Sequence, residues 1–265
     1  MREGDKAEKQ TAEGAAPPLS PLAGLVADVL SAFGLLSRLP LPQARRHRAA
    51  SAWSWPLVGL VIGGMATAVA VAADLAGLPQ GVAAALYLAT GMMATGALHE
   101  DGLADTCDGL FGGWTRERRL EIMKDSHIGS YGTLGLIVSQ LALWSLVGQA
   151  LSEDLWAVLV AGPVLSRAPM AMLMAALPNA RGSGLSQGVG RPGWQPALIG
   201  SALAIALTLG VTLAPLNVAV ATLAVALVVA VLGAEARRRI GGQTGDILGA
   251  SQQLALITAL AVLQM

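Results

Sequence analysis

Blocks of about twenty apolar residues, separated by short polar connections, leave this chain little choice of architecture. Seven segments are long enough to cross a bilayer: 52–73, 81–98, 133–150, 155–177, 196–213, 215–233 and 247–264. A hydrocarbon core needs about 20 residues of helix, and inside lipid the backbone must satisfy its own hydrogen bonds. The expected fold is therefore all-α, a polytopic integral membrane bundle of about seven transmembrane helices. Of the seven, 247–264 is the weakest, because Ser251, Gln252 and Gln253 make its first turns polar. Hydrophobic residues make up 54% of the chain, yet only 6 Trp, 2 Tyr and 2 Phe are present. Helix packing must then rely on small residues, as is common between membrane helices. A lone cysteine, Cys107, excludes an internal disulfide and any multi-cysteine zinc site.

Residues 1–21 are polar, rich in Gly, Pro and Ala, and lack the apolar core of a signal peptide; they read as a disordered N-terminal extension. Residues 22–265 form one membrane-embedded catalytic domain. Its first segment, 22–37, is apolar but short and carries Asp28, which suits an interfacial or re-entrant helix.

The basic residues orient the bundle. Of 17 Lys and Arg, only Arg167 falls inside a span. The other 16 lie in the tail or in the connections 38–51, 99–132, 178–195 and 234–246; the opposite connections, near 74–80, 151–154 and 214, hold none. A bias of 16 to 0 satisfies the positive-inside rule and makes the basic face cytoplasmic.

On that face lies the segment from Gly96 to Gly113, with Glu100, Asp101, Asp105 and Asp108 following His99. At 100° per residue, Asp101, Asp105 and Asp108 fall within about 60° of one another on one helix face. Clustered carboxylates repel unless a divalent cation or cationic substrate lies between them. Acid-only ligation beside Gly102, Gly109, Gly112 and Gly113 fits Mg²⁺, which keeps several waters and bridges to phosphate. A solvated helix end is the plain alternative.

Four further groups stand out. Lys124 to Gly132, with His127 and the hydroxyls of Ser126 and Ser130, precedes a membrane helix and suits either a phosphate contact or an N-cap. Arg167, flanked by Pro163 and Pro169, calls for a polar cavity or an acidic partner, or forms a structural salt bridge. The Gly- and Ser-rich stretch 178–191 holds Arg181 and Arg191 and also resembles a flexible linker. Asp246 opens the last helix as either a further metal ligand or a cap.

Together these segments resemble the cobalamin synthase family, the adenosylcobinamide-GDP ribazoletransferases. The match is carried by Leu39–Pro42, Trp55–Gly59, His99–Gly109, Met123–Gly132 and Gly242–Ala250, and covers about 22–265. Cys107 stands where many members have a small residue, His127 where an arginine is frequent, and Leu256 where a glutamate is often placed.

The resemblance implies transfer of a cobinamide-phosphoryl group from adenosylcobinamide-GDP to α-ribazole or its 5′-phosphate, with release of GMP. It implies Mg²⁺ on Asp101, Asp105 and Asp108, with Glu100 or Asp246, and a proton acceptor among Asp105, Asp108 and His99. Lys124, His127, Arg167 and Arg181 would contact substrate phosphates. The expected location is the bacterial inner membrane, the active site facing the cytoplasm. Lipid is an expected partner and nucleic acid is not; a homo-oligomer is compatible.

Two other functions are weighed. A CDP-alcohol phosphotransferase needs a different aspartate spacing after an Ala-Arg pair. A secondary transporter would hold its acids near the bilayer midplane, often within internal repeats.

Overall fold

The computed structural model describes residues 20–42 and 48–265. The expected disordered extension therefore lies, but for its last two residues, outside the described residues, as do Arg45 and Arg46. Among the described residues there is no β-strand, only one isolated bridge between Asn179 and Gln243.

The first helix, α1 (Pro21–Leu36), begins where the Ser20 hydroxyl accepts from the Ala23 N–H at 3.3 Å, with Pro21 in its first turn. Its 16 residues are too few to cross a bilayer upright. A 3₁₀ turn, Ala49–Ser54, leads into α2 (Trp55–Leu75), and Trp53 Nε1 donates to Asp28 at 3.1 Å to tie the turn back to α1. Next come α3 (Gln80–Thr95), α4 (Leu98–Gly112), α5 (Arg116–Ile122) and α6 (Ser130–Ser152). The chain continues through α7 (Trp156–Leu165), α8 (Ala168–Ala176) and α9 (Leu185–Val189). It closes with α10 (Trp194–Thr212), α11 (Pro215–Ile240) and α12 (Gly245–Leu263).

Among the described residues, six helical stretches are long and apolar enough to span: Ala49–Leu75, α6, Trp156–Ala176, α10, α11 and α12. The bent pair α3–α4 makes a seventh if counted as one span. Packing is through small side chains, with Ala66, Ala70, Ala83, Ala161, Ala204 and Ala259 all buried, as expected where lipid is the solvent and close approach supplies the attraction.

One expected span needs correction and another carries a break. The segment 81–98 is not one helix leading to a free cytoplasmic connection. It stops at Thr95, Gly96 (φ 68°) and Ala97 (φ 55°) take left-handed conformations, and α4 leaves at 90°. Two left-handed residues in succession, one an alanine, reverse the helix sense locally and cannot be bridged by an α-helix. The acidic helix α4 then packs along α6 and α12, so its first turn lies inside the bundle. The expected span 155–177 is present as Trp156–Ala176, interrupted at Ser166–Arg167 between Pro163 and Pro169. Proline removes a backbone donor and crowds the preceding turn, which accounts for the break.

Contact between α4 and α12 depends on glycine. A Cβ on Gly102 would lie 2.9 Å from the Asp246 carbonyl and 3.1 Å from the Gly249 Cα.

Candidate active site

Where α1, α2, α4, α8, the 181–189 loop and α12 meet, they enclose a cavity of about 140 Å³. Its outer end carries charge. Asp101 is exposed, whereas Arg181 and Asp246 are half-buried and paired, Nη2 to Oδ2, at 2.8 Å. Asp105, one turn beyond Asp101, lies within electrostatic reach of Asp101, Asp246, Arg181 and Asp108. The inner end is apolar, lined by Leu36, Trp55, Met170 and Met174, each at most 4% exposed.

Three loops hold the charged end in place. Ala180 N donates to the Gln243 carbonyl and Gln243 N to the Pro178 carbonyl, both at 2.8 Å. Arg116 reaches from α5 to donate to the carbonyls of Ala180 (2.7 Å) and Ile240 (3.0 Å). The Asn179 side chain accepts from the Arg181 and Gly182 N–H groups at 2.9 and 2.8 Å. The Gly-rich stretch is thus fastened where it carries Arg181, not a free linker. The Thr244 hydroxyl caps α12, at 3.4 Å from Ile247 N, which leaves Asp246 to face Arg181.

Asp108 shares a helix face with Asp101 and Asp105, as the spacing requires, but it is turned to α6. Its two carboxylate oxygens accept from Gly129 N (2.7 Å) and Gly132 N (2.8 Å), and it is buried. A carboxylate on the first N–H groups of a helix both caps it and meets the positive end of its dipole. The expected metal ligand and proton acceptor is therefore placed as a tertiary cap. Gly132 is small for this reason: a Cβ there would strike the Asp108 carboxylate.

Behind the first turn of α4 lies a second, smaller cavity of about 50 Å³. His99, Glu100, Tyr87, Gln140, Arg167, Gln252 and Gln253 line it among apolar neighbours. Gln253 Nε2 donates to Glu100 at 3.0 Å, Gln252 Nε2 to the Ser166 hydroxyl at 3.0 Å, and Arg167 Nη1 to the Pro163 carbonyl at 2.8 Å. Arg167 thus has the polar cavity that an intramembrane arginine demands, with Glu100 within electrostatic reach. It lines this chamber and not the first cavity. His99 borders both cavities, and its Nε2 has no hydrogen-bond partner among the described residues.

Lys124 and His127 are not brought to the acids. Both are exposed, and His127 Nδ1 lies 2.7 Å from Asp125 Oδ1. That bond holds the Asp125 carboxyl below its ordinary range and raises the imidazole above its own.

Sequence reasoning missed three elements. The Asp108 cap joins residues over twenty positions apart. Tyr87 and Gln140 belong to the chamber, signalled only as polar groups within apolar spans. Trp55 had been noted merely as part of a motif.

The donor set tests which metal the site would suit. Asp101, Asp105 and Asp246 offer hard oxygens, and the Cys107 sulfur is packed against Gly135 on α6. Among the described residues no three His, Cys, Asp or Glu side chains enclose an ion by themselves. Mg²⁺ makes no such demand, since one or two carboxylates, water and substrate phosphate complete its shell. The residues fit Mg²⁺.

Fold and site define a polytopic membrane protein with a carboxylate-and-arginine cluster at one end of its bundle, the arrangement of a membrane enzyme acting on a phosphorylated substrate. Residues 28–264 match the profile of the cobalamin-5-phosphate synthase family, and the chain belongs to that family. It is 39% identical over 255 residues to an adenosylcobinamide-GDP ribazoletransferase of Brucella ovis, covering 91% of this chain and 98% of the relative. To the protein of that name from Azorhizobium caulinodans it is 44% identical over 250 residues, covering 89% and 94%. No solved structure matches.

Proposed function

We propose that this chain transfers the cobinamide-phosphoryl group of adenosylcobinamide-GDP to α-ribazole or its 5′-phosphate and releases GMP. In this reading it works in the bacterial inner membrane, with the acidic end of the bundle facing the cytoplasm. The observation that supports it best is the meeting of Asp101 with Asp246 and Arg181 at a cavity mouth, with Asp105 within electrostatic reach, in a chain similar to ribazoletransferases over most of its length.

A ribose hydroxyl oxygen forms a bond to the phosphorus that carries the cobinamide arm. The bond from that phosphorus to the oxygen shared with GMP breaks, and GMP leaves with the electron pair. The hydroxyl proton passes to a carboxylate, for which Asp105 is best situated: half-buried, beside other acids, and free of the capping bonds that occupy Asp108. Arg181 orients a phosphate oxygen. Asp101, Asp105 and Asp246 would hold Mg²⁺, which supplies charge neutralisation at the pyrophosphate. Displacement of this kind is mostly positioning and electrostatics, so rigid loops around the acids matter as much as the acids.

Purified full-length protein with Mg²⁺ should release GMP only when both adenosylcobinamide-GDP and α-ribazole are supplied. Absence of GMP under those conditions overturns the reading.

A further inference from the structure

We infer that a recess between α8, α10 and α11 seats one acyl chain of an anionic phospholipid, whose phosphate is held at Arg237 beside Trp194. This goes beyond the reaction proposed above and does not depend on it.

The recess has a volume of about 380 Å³. Its walls run from Leu165 to Ala176 on the broken span, from Trp194 to Ile205 on α10 and from Thr222 to Ala230 on α11. The α10 wall rises about 16 Å, half of a hydrocarbon core of about 30 Å. The recess is therefore one leaflet deep, on the side where α11 ends in arginines. On the scale by which a cavity of about 150 Å³ takes benzene, it holds roughly fifteen carbon atoms, a single chain. A helix of a second copy would cross both leaflets, whereas the recess ends at mid-span.

Polarity excludes a soluble ligand. The hydroxyls of Ser201 and Thr222 donate to the carbonyls of Ala197 (2.9 Å) and Val218 (2.7 Å) within their own helices. A nucleotide or riboside would leave its own polar groups unmet among such walls; a hydrocarbon chain has none to leave. The recess is also open to lipid. Trp194 is 53% and Ile205 37% exposed, on helices long and apolar enough to cross a membrane.

Charge selects the headgroup. Arg238 and Arg239 both pair with Glu235, at 2.8 and 2.7 Å. Arg237 is exposed and its side chain has no ion pair or hydrogen bond among the described residues. Ala226, Ala230 and Arg237 fall within about 40° of one another around α11. Arg237 thus continues the recess face, about 10 Å beyond Ala230. Tryptophan at a membrane interface sits at headgroup level, and an arginine there attracts anionic lipid.

The test starts from wild-type full-length protein in detergent. Phosphatidylglycerol carrying a diazirine at the end of one acyl chain is added, irradiated and its adducts mapped. They should concentrate at the deep end of the recess, around Leu165, Ile205 and Thr222. Unlabelled phosphatidylglycerol should displace the probe about fivefold more effectively than phosphatidylcholine of the same chains, the scale of one basic contact at a membrane surface. Arg237→Gln should abolish that preference and keep the adducts in the recess. Ala226→Phe, which occupies the recess, should reduce those adducts and leave any on the exposed face of α6 unchanged.

Adducts spread evenly over the exposed faces of α6, α10 and α11 mean an ordinary lipid annulus and overturn the inference. Equal displacement by the two lipids overturns the anionic headgroup. Recess residues shielded from the probe in a dimer assign the face to a second copy and also overturn it. Mapping and competition need no variant, and GMP release plays no part in either readout.

Discussion

Helix α4 presents acids to two polar cavities of opposite character. Toward the 181–189 loop, Asp101 and its neighbours face an open mouth with hard oxygens and one arginine. Toward α6 and the broken α7–α8 span, Glu100 faces a smaller chamber lined also by amides, a tyrosine and Arg167. The residues are adjacent in sequence, yet Asp101 is exposed at the Arg181 loop while Glu100 accepts from Gln253 within the bundle. Neighbouring acids in a short motif therefore need not share a task; the partner supplied by the next helix decides.

The contrast is sharpest between Asp105 and Asp108, both expected from sequence at the metal. Asp105→Asn should lower turnover by at least about a hundredfold, the scale for removing a group that stabilises developing charge. Its thermal stability in detergent should stay near wild type; unchanged turnover would remove Asp105 from the chemistry.

Arg167→Ala should act in the opposite sense. Truncating this buried side chain leaves a void and removes its bond to the Pro163 carbonyl, a loss of about 2–5 kcal/mol on the scale of large-to-small changes in a core. Unfolding in detergent should therefore occur at distinctly lower temperature, while the surviving enzyme keeps its KM for adenosylcobinamide-GDP. A KM change without loss of stability would move Arg167 to the substrate.

Asp108→Asn should lose about 1–2 kcal/mol, the worth of a helix cap, and retain far more turnover than Asp105→Asn. Equal inactivation of the two would restore Asp108 to the metal site.

The smallest effect is expected outside the bundle. His127 is raised by Asp125 and Asp125 lowered by His127. The imidazolium contribution is complete below the ordinary histidine value of about 6.5 and disappears as pH rises through the raised value. The carboxylate contribution fades only at acid pH, below its ordinary range. An NMR titration should place the His127 midpoint above 6.5, and Asp125→Asn should return it toward that value.

Much of the bundle was legible because lipid imposes a simple rule: apolar blocks marked the spans. What escaped depended on contacts distant in sequence. Gly96 alone hinted at the 90° turn, and nothing local to Ala97 showed that it too would be left-handed. The helix face of Asp101, Asp105 and Asp108 was correct, but a helical wheel does not reveal that Gly129 and Gly132 occupy both oxygens of one of them. Arg167 was readable as a group needing a polar cavity. That the cavity is shared with Gln140, Gln252 and Gln253 follows only from how α6, α7, α8 and α12 converge.

The turn at Gly96–Ala97 also bears on how such a protein is made. At 1.5 Å per residue, α3 is about 24 Å long, short of a hydrocarbon core of about 30 Å, and α4 is too acidic to enter lipid unaccompanied. Neither half is a good substrate for insertion as it leaves the ribosome. Glu100 and Gly102 find their partners, Gln253 and Gly249, only on α12, synthesised about 150 residues later. Biogenesis must therefore hold the acidic helix in waiting until the last helix arrives, and shortening α12 should leave a protein that inserts most of its spans but never assembles its active site.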